Sequence, residues 1–414
     1  MSFISKIIIY SLILTPLSLA PQKVVAEEIV TSPLPISLSL KETIADTLKN
    51  NLSIAVQKYN SKIVEQSIFE KEADFDATLD FEFAVGEETR QAAGAFANPS
   101  KSRNQDYDWD FSIAQKFVTG GDYELSFDTN RSLTNSTFVG LNPQYTSDLN
   151  LSLTQPLLKD FGIDNNKREI YIAKNNQKIS DYEFKGSVID VITEAENFYW
   201  DLVFSIEDLK VKKKSLERAQ DLEKQVKAQV EVGTLAPLEV LQAQSEVASR
   251  DQLLLSAQDL ILDNEDKLKN ILNYTFDSER GQKNIRPSDA PLFDPGTEGT
   301  LGEALQAALS QRPDLLGKKK ELDNRNIEVK YNENQMYPTL DLVSSLGLNG
   351  ISGEAINITS GTIQGLSKFG GGYDNALSEL TTGKYHLWQF GLNLSYPLGN
   401  RAAKSKLTAK RLEV

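Results

Sequence analysis

The feature that most constrains the fold is a helical pattern from Asn165 to Val232 that contains no proline and only one glycine. Apolar residues recur in it at the seven-residue spacing of a coiled-coil seam, at Val188, Ala195, Leu202, Leu209 and Leu216. A helix of roughly 68 residues is about 100 Å long, because each residue adds 1.5 Å. No compact domain has that diameter, so this helix must project from the rest of the molecule.

A second helical pattern begins after the short break Gly-Thr-Leu-Ala-Pro and runs to about Asn273. Its seven-residue series is Val240, Val247, Leu254, Ile261 and Leu268. Gly233 suits a left-handed helix end, and Pro237 suits a first helical turn. A connection this short predicts an antiparallel hairpin over 165–273 with its tip at 232–237. The alternative is one helix kinked at Pro237.

The chain before this hairpin changes from helical to strand periodicity. Helical spacing and a capping-box pattern at Ser39 and Glu42 predict a helix over 39–73. Period-two alternation then predicts four β-strands over 77–157. In one of them, Tyr107, Trp109, Phe111 and Ile113 alternate with Asp106, Asp108 and Asp110. Such strands can form a soluble sandwich or face lipid, and Trp109 and Tyr107 fit either a core or an interfacial aromatic belt.

The same helix–strand–helix order occurs twice. Leu40, Glu42, Leu48 and Ile54 correspond to Leu301, Glu303, Leu309 and Leu315 at a constant offset of 261. "LSLTQPL" at Leu151 corresponds to "LNLSYPL" at Leu392. We therefore predict a first repeat over 27–273, a linker over 274–300 and a second repeat over 301–414. The second repeat comprises a helix over 301–336, strands over 338–398 and the start of a long helix over 400–414. Compared with the first repeat, it lacks about 100 residues, so a longer reading frame is expected.

Composition excludes several classes of function. Lys and Arg number 44 against 58 Asp and Glu, a net charge of −14, which argues against nucleic acid binding. The chain has no cysteine and one histidine, His386, so neither a thiolate metal site nor a cysteine nucleophile is available. No enzyme activity, cofactor or metal is predicted. A carboxylate-based hydrolase is the weakest alternative, since the acidic residues lie on repetitive elements without any sign of a cleft.

Residues 1–26 have the character of a secretory signal peptide. Lys6 precedes an apolar core from Ile7 to Ala20, and small residues lead to an expected cleavage after Ala26. The alternative is an uncleaved membrane anchor, for which the apolar core is short.

Five motifs resemble the TolC-like outer-membrane efflux proteins: "LSLKETIADTLKNNLSIAVQ", "LTQPLLKDFG", "AENFYWDL", "VEVGTLAPLEVLQAQSEVASRD" and "YPLGNR". The resemblance covers the chain from about Ser39 onward. It implies an α+β fold in which a long antiparallel coiled-coil hairpin and transmembrane β-strands form part of a trimeric α/β barrel. Each protomer would give four strands to a twelve-stranded barrel in the outer membrane of a Gram-negative-type bacterium, with helices extending into the periplasm. The implied function is the passive exit duct of a tripartite efflux or type I secretion system, with a periplasmic adaptor and an inner-membrane pump as partners and outer-membrane lipid as the surroundings.

Two sets of site residues follow from the resemblance and the strand pattern. The tip residues Val232, Gly233, Thr234 and Leu235 would dock the adaptor. The lumen would be lined by the polar strand residues Asp80, Glu82, Asp106, Asp108 and Asp110. The alternative is that these residues only make the strands soluble. The hairpin over 111–132 exceeds the two strands that the family's minimal pattern needs in this repeat, and it is a candidate to lie outside the bilayer. The alternative function is a surface adhesin or structural coiled coil without a lumen.

Overall fold

The computed structural model describes residues 35–91, 101–136, 139–291, 299–355 and 369–414. The predicted signal peptide lies outside these residues. Helices and strands alternate in the order that the periodicity predicts, so the chain has the expected α+β architecture.

The long helix is present as α4 (Arg168–Glu231), preceded by the short helix α3 (Ile163–Asn166). Its 64 residues correspond to about 96 Å. The return helix is α5 (Pro237–Ile271). Two contacts fix their relative direction: Glu223 hydrogen-bonds Gln244 near the tip, and Asn264 donates to the Asp201 carbonyl at 3.3 Å farther down. The helices are therefore antiparallel, and the alternative of one helix kinked at Pro237 is wrong.

The N-terminal half of α4 packs against helices from both repeats. On one side lies α2 (Leu52–Glu72), joined to α4 by a 2.7 Å hydrogen bond from Ser61 to Asp181. On the other lies α7 (Pro313–Asn334), where the Arg168 guanidinium carbon sits 3.4 Å from the centroid of the Tyr331 ring.

The single helix predicted in each repeat is in fact two helices. In the first repeat α1 (Leu40–Asn50) ends before Asn51, whose extended backbone and side-chain amide oxygen cap the start of α2. In the second, α6 (Leu301–Gln311) ends before Arg312, which is extended because proline follows it. The two breaks fall at the same place in the repeat, since 312 is 261 positions after 51.

The repeats also place an ion pair at the same position. Glu72 at the end of α2 pairs with Lys174 of α4 at 3.3 Å. Its counterpart Glu333, at the end of α7, pairs with Arg411 of α9 (Arg401–Leu412) at 2.8 Å. The last helix therefore begins to pack on the second repeat as α4 packs on the first.

Part of the predicted linker is structured. The strand β6 (Ile285–Pro287) pairs in parallel with β1 (Ile36–Leu38), and both cover the middle of α4. Tyr199 of α4 is fully buried there, and its hydroxyl donates to the Asp289 carboxylate at 3.0 Å. Residues 292–298 of the linker lie outside the described part of the chain.

The strands form one antiparallel sheet in the order β2-β3-β4-β5-β7-β8. A short 3₁₀ turn at Ala73–Phe75 joins α2 to it. The strands are β2 (Thr78–Gln91), β3 (Lys101–Lys116), β4 (Asp122–Thr134), β5 (Leu141–Pro156), β7 (Thr339–Ala355) and β8 (His386–Ser395). The turn between β3 and β4 carries Gly120 at φ 101°. The hairpin over 111–132, a candidate to lie outside the bilayer, pairs in continuous register on both sides and occupies the middle of the sheet.

The segment 338–398, predicted as strands, contains an additional helix, α8 (Tyr373–Thr382). It packs on β5 and β7. Gly350 of β7 is required there, because a Cβ at this position would be 2.1 Å from the Ala376 carbonyl oxygen. Among the helices in the described parts of the chain, none combines the length and apolar character needed to cross a membrane.

Candidate functional site: a two-faced sheet and a helical tip

The strand register divides the sheet into a polar face and an apolar face. Residues opposite each other on neighbouring strands point to the same side, and side chains alternate along each strand. The five acidic residues predicted as a set (Asp80, Glu82, Asp106, Asp108 and Asp110) all lie on the polar face. Further acids from other strands share this face: Glu124, Asp128, Asp148 and Asp341.

Four carboxylates form a row straight across the polar face. Glu82, Asp110, Asp128 and Asp148 are register partners on four successive strands, and Asn349 continues the row on β7. Neighbouring strands are about 4.8 Å apart, and like charges directly opposite each other destabilise a sheet. Such a row is tolerated where water and cations screen it, so this face is built for an aqueous surface.

Short hydrogen bonds orient part of the row. Ser126 donates to Asp128 at 2.8 Å, and Asn349 donates to Asp148 at 2.5 Å. Sequence reasoning omitted Asp128 and Asp148 from the candidate set. Their alternation with apolar residues was the available signal, but only the register shows that they share a row with Glu82 and Asp110.

The opposite face carries large apolar side chains that remain exposed. Phe81 and Trp388 are both 69% exposed. The apolar side chains of this face, exposed or half-buried, are Leu79, Phe81, Phe83, Val85, Trp109, Phe111, Ile113, Leu125, Phe127, Leu149, Leu151, Leu346, Leu348, Trp388, Phe390, Leu392 and Leu394. An exposed apolar surface of this extent marks contact with a membrane or another protein.

This apolar face has the height of a membrane-facing band. Its limits on β4 are Tyr123 at one end and Arg131 at the other, eight residues or about 27 Å along the strand. Outer-membrane strands present an apolar band about 25 Å tall between aromatic girdles. Tyr107 and Tyr145 flank Arg131 in the register, and beyond them Arg103 forms a 2.6 Å ion pair with Glu87.

The tip of the α4–α5 hairpin is a complete left-handed helix end. Gly233 has φ +80°, its amide donates to the Val230 carbonyl, and the Thr234 amide donates to the Gln229 carbonyl. This pair of bonds is the Schellman arrangement. The tip leaves apolar side chains exposed, with Val232 at 74%.

Apolar stripes also run along the helices. On α2 the exposed side chains Leu52, Val56, Tyr59 and Ile63 follow one another at helical spacing, and on α5 Leu241, Leu255 and Leu262 are exposed. These surfaces lack a partner within the described residues of one chain, so further copies or other proteins are needed to cover them.

In the described parts of the chain, no group of three or more His, Cys, Asp or Glu side chains is placed so that it could hold a metal ion. His386 lies on the apolar face, with its Nδ1 3.1 Å from the Gly383 carbonyl oxygen.

The structure thus joins a sheet with one acidic face and one apolar face to a long helical hairpin. Residues 122–274 match the family model described as outer membrane efflux protein. Residues 122–274 thus resemble an outer membrane efflux protein domain, and the family resemblance found in the sequence motifs is confirmed over this part of the chain.

Solved structures share the fold. The Campylobacter jejuni CmeC outer membrane channel is 16% identical with a TM-score of 0.55, over 90% of this chain and 64% of that one. The Vibrio cholerae outer membrane protein VceC is 15% identical with a TM-score of 0.55, over 90% of this chain and 72% of that one. A membrane protein from Pseudomonas aeruginosa is 14% identical with a TM-score of 0.56, over 96% and 76%. At these identities the likeness establishes the fold. The chain spans just under two thirds of the CmeC channel's length, and no curated protein matches it.

Proposed function

We propose that this protein is the outer-membrane exit duct of a tripartite efflux or type I secretion system in a Gram-negative-type bacterium, with its helices extending into the periplasm. It acts passively and conducts small molecules or proteins through a shared lumen. The observation that carries the proposal is the division of the sheet into an acidic face and an apolar face of bilayer height. The apolar face contacts outer-membrane lipid, and the acidic face, including Asp80, Glu82, Asp106, Asp108 and Asp110, lines the lumen and favours cations.

The duct is a homotrimer. Among the described residues, the six antiparallel strands leave β2 and β8 as unpaired edges that run in opposite directions, so β8 of one copy can pair antiparallel with β2 of the next. A head-to-tail interface of this kind closes into a ring. Three copies supply eighteen strands, rather than the twelve that the family resemblance implies, and barrels of 16–18 strands enclose an aqueous channel.

The helical tip is the proposed docking site for the periplasmic adaptor, which in turn connects the duct to an inner-membrane pump. Val232, Thr234 and Leu235 surround the left-handed Gly233 and are exposed. An adaptor with its own apolar helical tip would cover Val232 and Leu235. A catalytic step is not needed, since a duct works by geometry and by the lining of its lumen.

Conductance tests the duct against the alternative of an adhesin or structural coiled coil. The full-length protein in planar bilayers is expected to conduct and to prefer cations over anions. The double variant Glu82→Gln/Asp128→Asn removes two charges per chain from the acidic row and is expected to lower that preference several-fold, because the fixed charge attracts cations into the lumen.

The matched control removes two exposed charges outside the sheet, Asp277→Asn/Glu279→Gln, and should leave selectivity unchanged. Absence of conductance would favour the adhesin. Conductance with the same selectivity in both double variants would mean that the polar face does not line the lumen.

A further inference from the structure

Helix α8 lies on the apolar face of the sheet, on a floor of small side chains. The residues beneath it are register partners on three neighbouring strands, Thr129, Ser147 and Gly350. All three are buried, and Ser352 donates a 2.7 Å hydrogen bond to the Gly372 carbonyl just before the helix. The small residues let the helix approach the backbone, so α8 stands out from a surface that is otherwise formed by strands.

An apolar groove of about 570 Å³ lies beside α8 on this face. Six aromatic side chains line it: Phe81, Trp109, Phe111, Phe127, Tyr145 and Tyr373. Tyr373, the first residue of α8, forms the wall, with its ring centroid 6.3 Å from that of Tyr145. Asp110 is also at the edge of the groove, although its side chain belongs to the polar face by register. The volume is that of a ligand site, for which about 300–1,000 Å³ is typical.

A cationic side chain lies next to the groove: Arg131 is two residues from Thr129 on the same face of β4, and Thr129 lines the groove. Arg131 is the register partner of both Tyr107 and Tyr145, and its guanidinium carbon is 5.2 Å from the centroid of the Tyr107 ring. Within the described part of the chain, no carboxylate forms an ion pair with it. Arg103, the other arginine at this end of the apolar face, is already paired with Glu87 at 2.6 Å. Arg131 therefore offers, next to Tyr145 of the groove lining, a positive charge without an ion-pair partner among the described residues.

We propose that Arg131 and the groove beside α8 form a specific binding site for one lipid molecule, with a headgroup phosphate on the Arg131 guanidinium and an acyl chain against Trp109, Phe111 and Phe127. The positive charge of Arg131 selects the phosphate, since a guanidinium group and a phosphate form charge-assisted, bidentate hydrogen bonds. The apolar lining selects the acyl chain, because burying methylene groups away from water is favourable. This inference rests on the proposed function, in which the apolar face contacts lipid.

Tryptophan quenching by brominated acyl chains tests the site in the full-length protein reconstituted in phosphatidylcholine vesicles. Trp109 lines the groove and is read in a Trp200→Phe/Trp388→Phe background, which removes the other two tryptophans of the chain. Trp388 lies on the same face but outside the groove and is read in a Trp109→Phe/Trp200→Phe background. The probes are brominated phosphatidic acid and brominated diacylglycerol, which differ by the phosphate.

Phosphatidic acid is expected to half-quench Trp109 at about a tenfold lower mole fraction than diacylglycerol, the effect of one charge-assisted contact. Arg131→Gln should abolish this difference, whereas Arg131→Lys should keep most of it and Arg103→Gln all of it. Both lipids should quench Trp388 equally.

Each of the other outcomes overturns the lipid site, and one of them also overturns the proposed function. Equal quenching of Trp109 by the two lipids, or a difference that survives in Arg131→Gln, overturns the lipid site while leaving the duct intact. Displacement of the brominated lipid by millimolar inorganic phosphate means that Arg131 binds a free anion instead of a lipid. A Trp388 that neither lipid quenches means that the apolar face does not meet the bilayer, and the proposed function then falls together with the site.

Discussion

At the scale of single residues, two buried serines under α8 have opposite hydrogen-bonding states. Ser352 Oγ donates to the Gly372 carbonyl at 2.7 Å, whereas Ser147 Oγ has no hydrogen-bond partner among the described residues. Ser352→Ala is expected to lower the unfolding free energy by about 1 kcal/mol, because it removes a bond and leaves a carbonyl unpaired. Ser147→Ala is expected to be neutral or stabilising by up to about 1 kcal/mol, because it removes an unpaired buried hydroxyl. Thermal unfolding followed by circular dichroism compares the two. Equal destabilisation would mean that Ser147 has a partner.

Tyr274, just after helix α5, is expected to make the stability of the fold depend on pH in the alkaline range. Burial and the neighbouring Asp46 raise the pKa of Tyr274 to about 12, and its hydroxyl donates to Asp46 while accepting from Arg280 at 2.8 Å. A raised folded-state pKa means that the neutral phenol stabilises the fold below its unfolded pKa of about 10, and that this contribution is lost as the pH rises toward 12. The difference in melting temperature between wild type and Tyr274→Phe should therefore shrink between pH 10 and 12. A constant difference across that range would contradict the assignment.

At the scale of elements, the hairpin tip depends on one glycine. Gly233 has φ +80°, and a Cβ there would meet nothing within 4 Å, so the backbone conformation alone resists substitution. Gly233→Ala is expected to cost about 1–2 kcal/mol, and Gly233→Asn less, because asparagine tolerates the left-handed region. The control Gly302→Ala lies in helix α6, also with free space around it, and should be neutral or stabilising. Hydrogen exchange of the backbone amides at 228–237 measures the loss of local stability at the tip. Equal protection in both alanine variants would show that the tip conformation is not required.

The elements that the sequence predicts best are those whose signal is local and repeated. The seven-residue series and the Gly233–Pro237 break predict α4, α5 and their tip closely. Period-two alternation predicts β2, β3, β4, β5 and β8, whereas the correspondence between the repeats predicts β7. The breaks at Asn51 and Arg312 were missed, although Pro313 is a local signal for the second. Helix α8 was missed because ten residues beside a glycine-rich loop carry little periodicity; the spacing of Ala376 and Leu380 was the available hint. The carboxylate row and the Arg131 groove depend on register across strands, which no local pattern contains.

At the scale of the whole molecule, the central question is whether β3 and β4 belong to the barrel wall. In the sheet they separate β2 from β5, so that Glu82 and Asp148 stand three strand spacings apart, or about 14 Å. A barrel with four strands per protomer would instead expel this hairpin and bring β2 next to β5. Because barrel diameter grows roughly linearly with strand number, the two arrangements differ by about half in width and therefore in the size of cargo they can pass.

Engineered disulfides separate these arrangements, and the chain has no cysteine of its own to interfere. Asp110→Cys/Asp128→Cys should cross-link within one chain, because these register partners lie on adjacent strands, whereas Glu82→Cys/Asp148→Cys should not, since a disulfide needs Cα atoms within about 7 Å. Cysteines on the two edges, at Glu82 paired in turn with Gln389 and Asn393, should give covalent trimers on a non-reducing gel through contact of β2 with β8 of the next copy. A cross-link between positions 82 and 148 would place the hairpin outside the wall. Covalent trimers together with the 110–128 bond, and without the 82–148 bond, require all six strands of each protomer to follow one another around a closed ring.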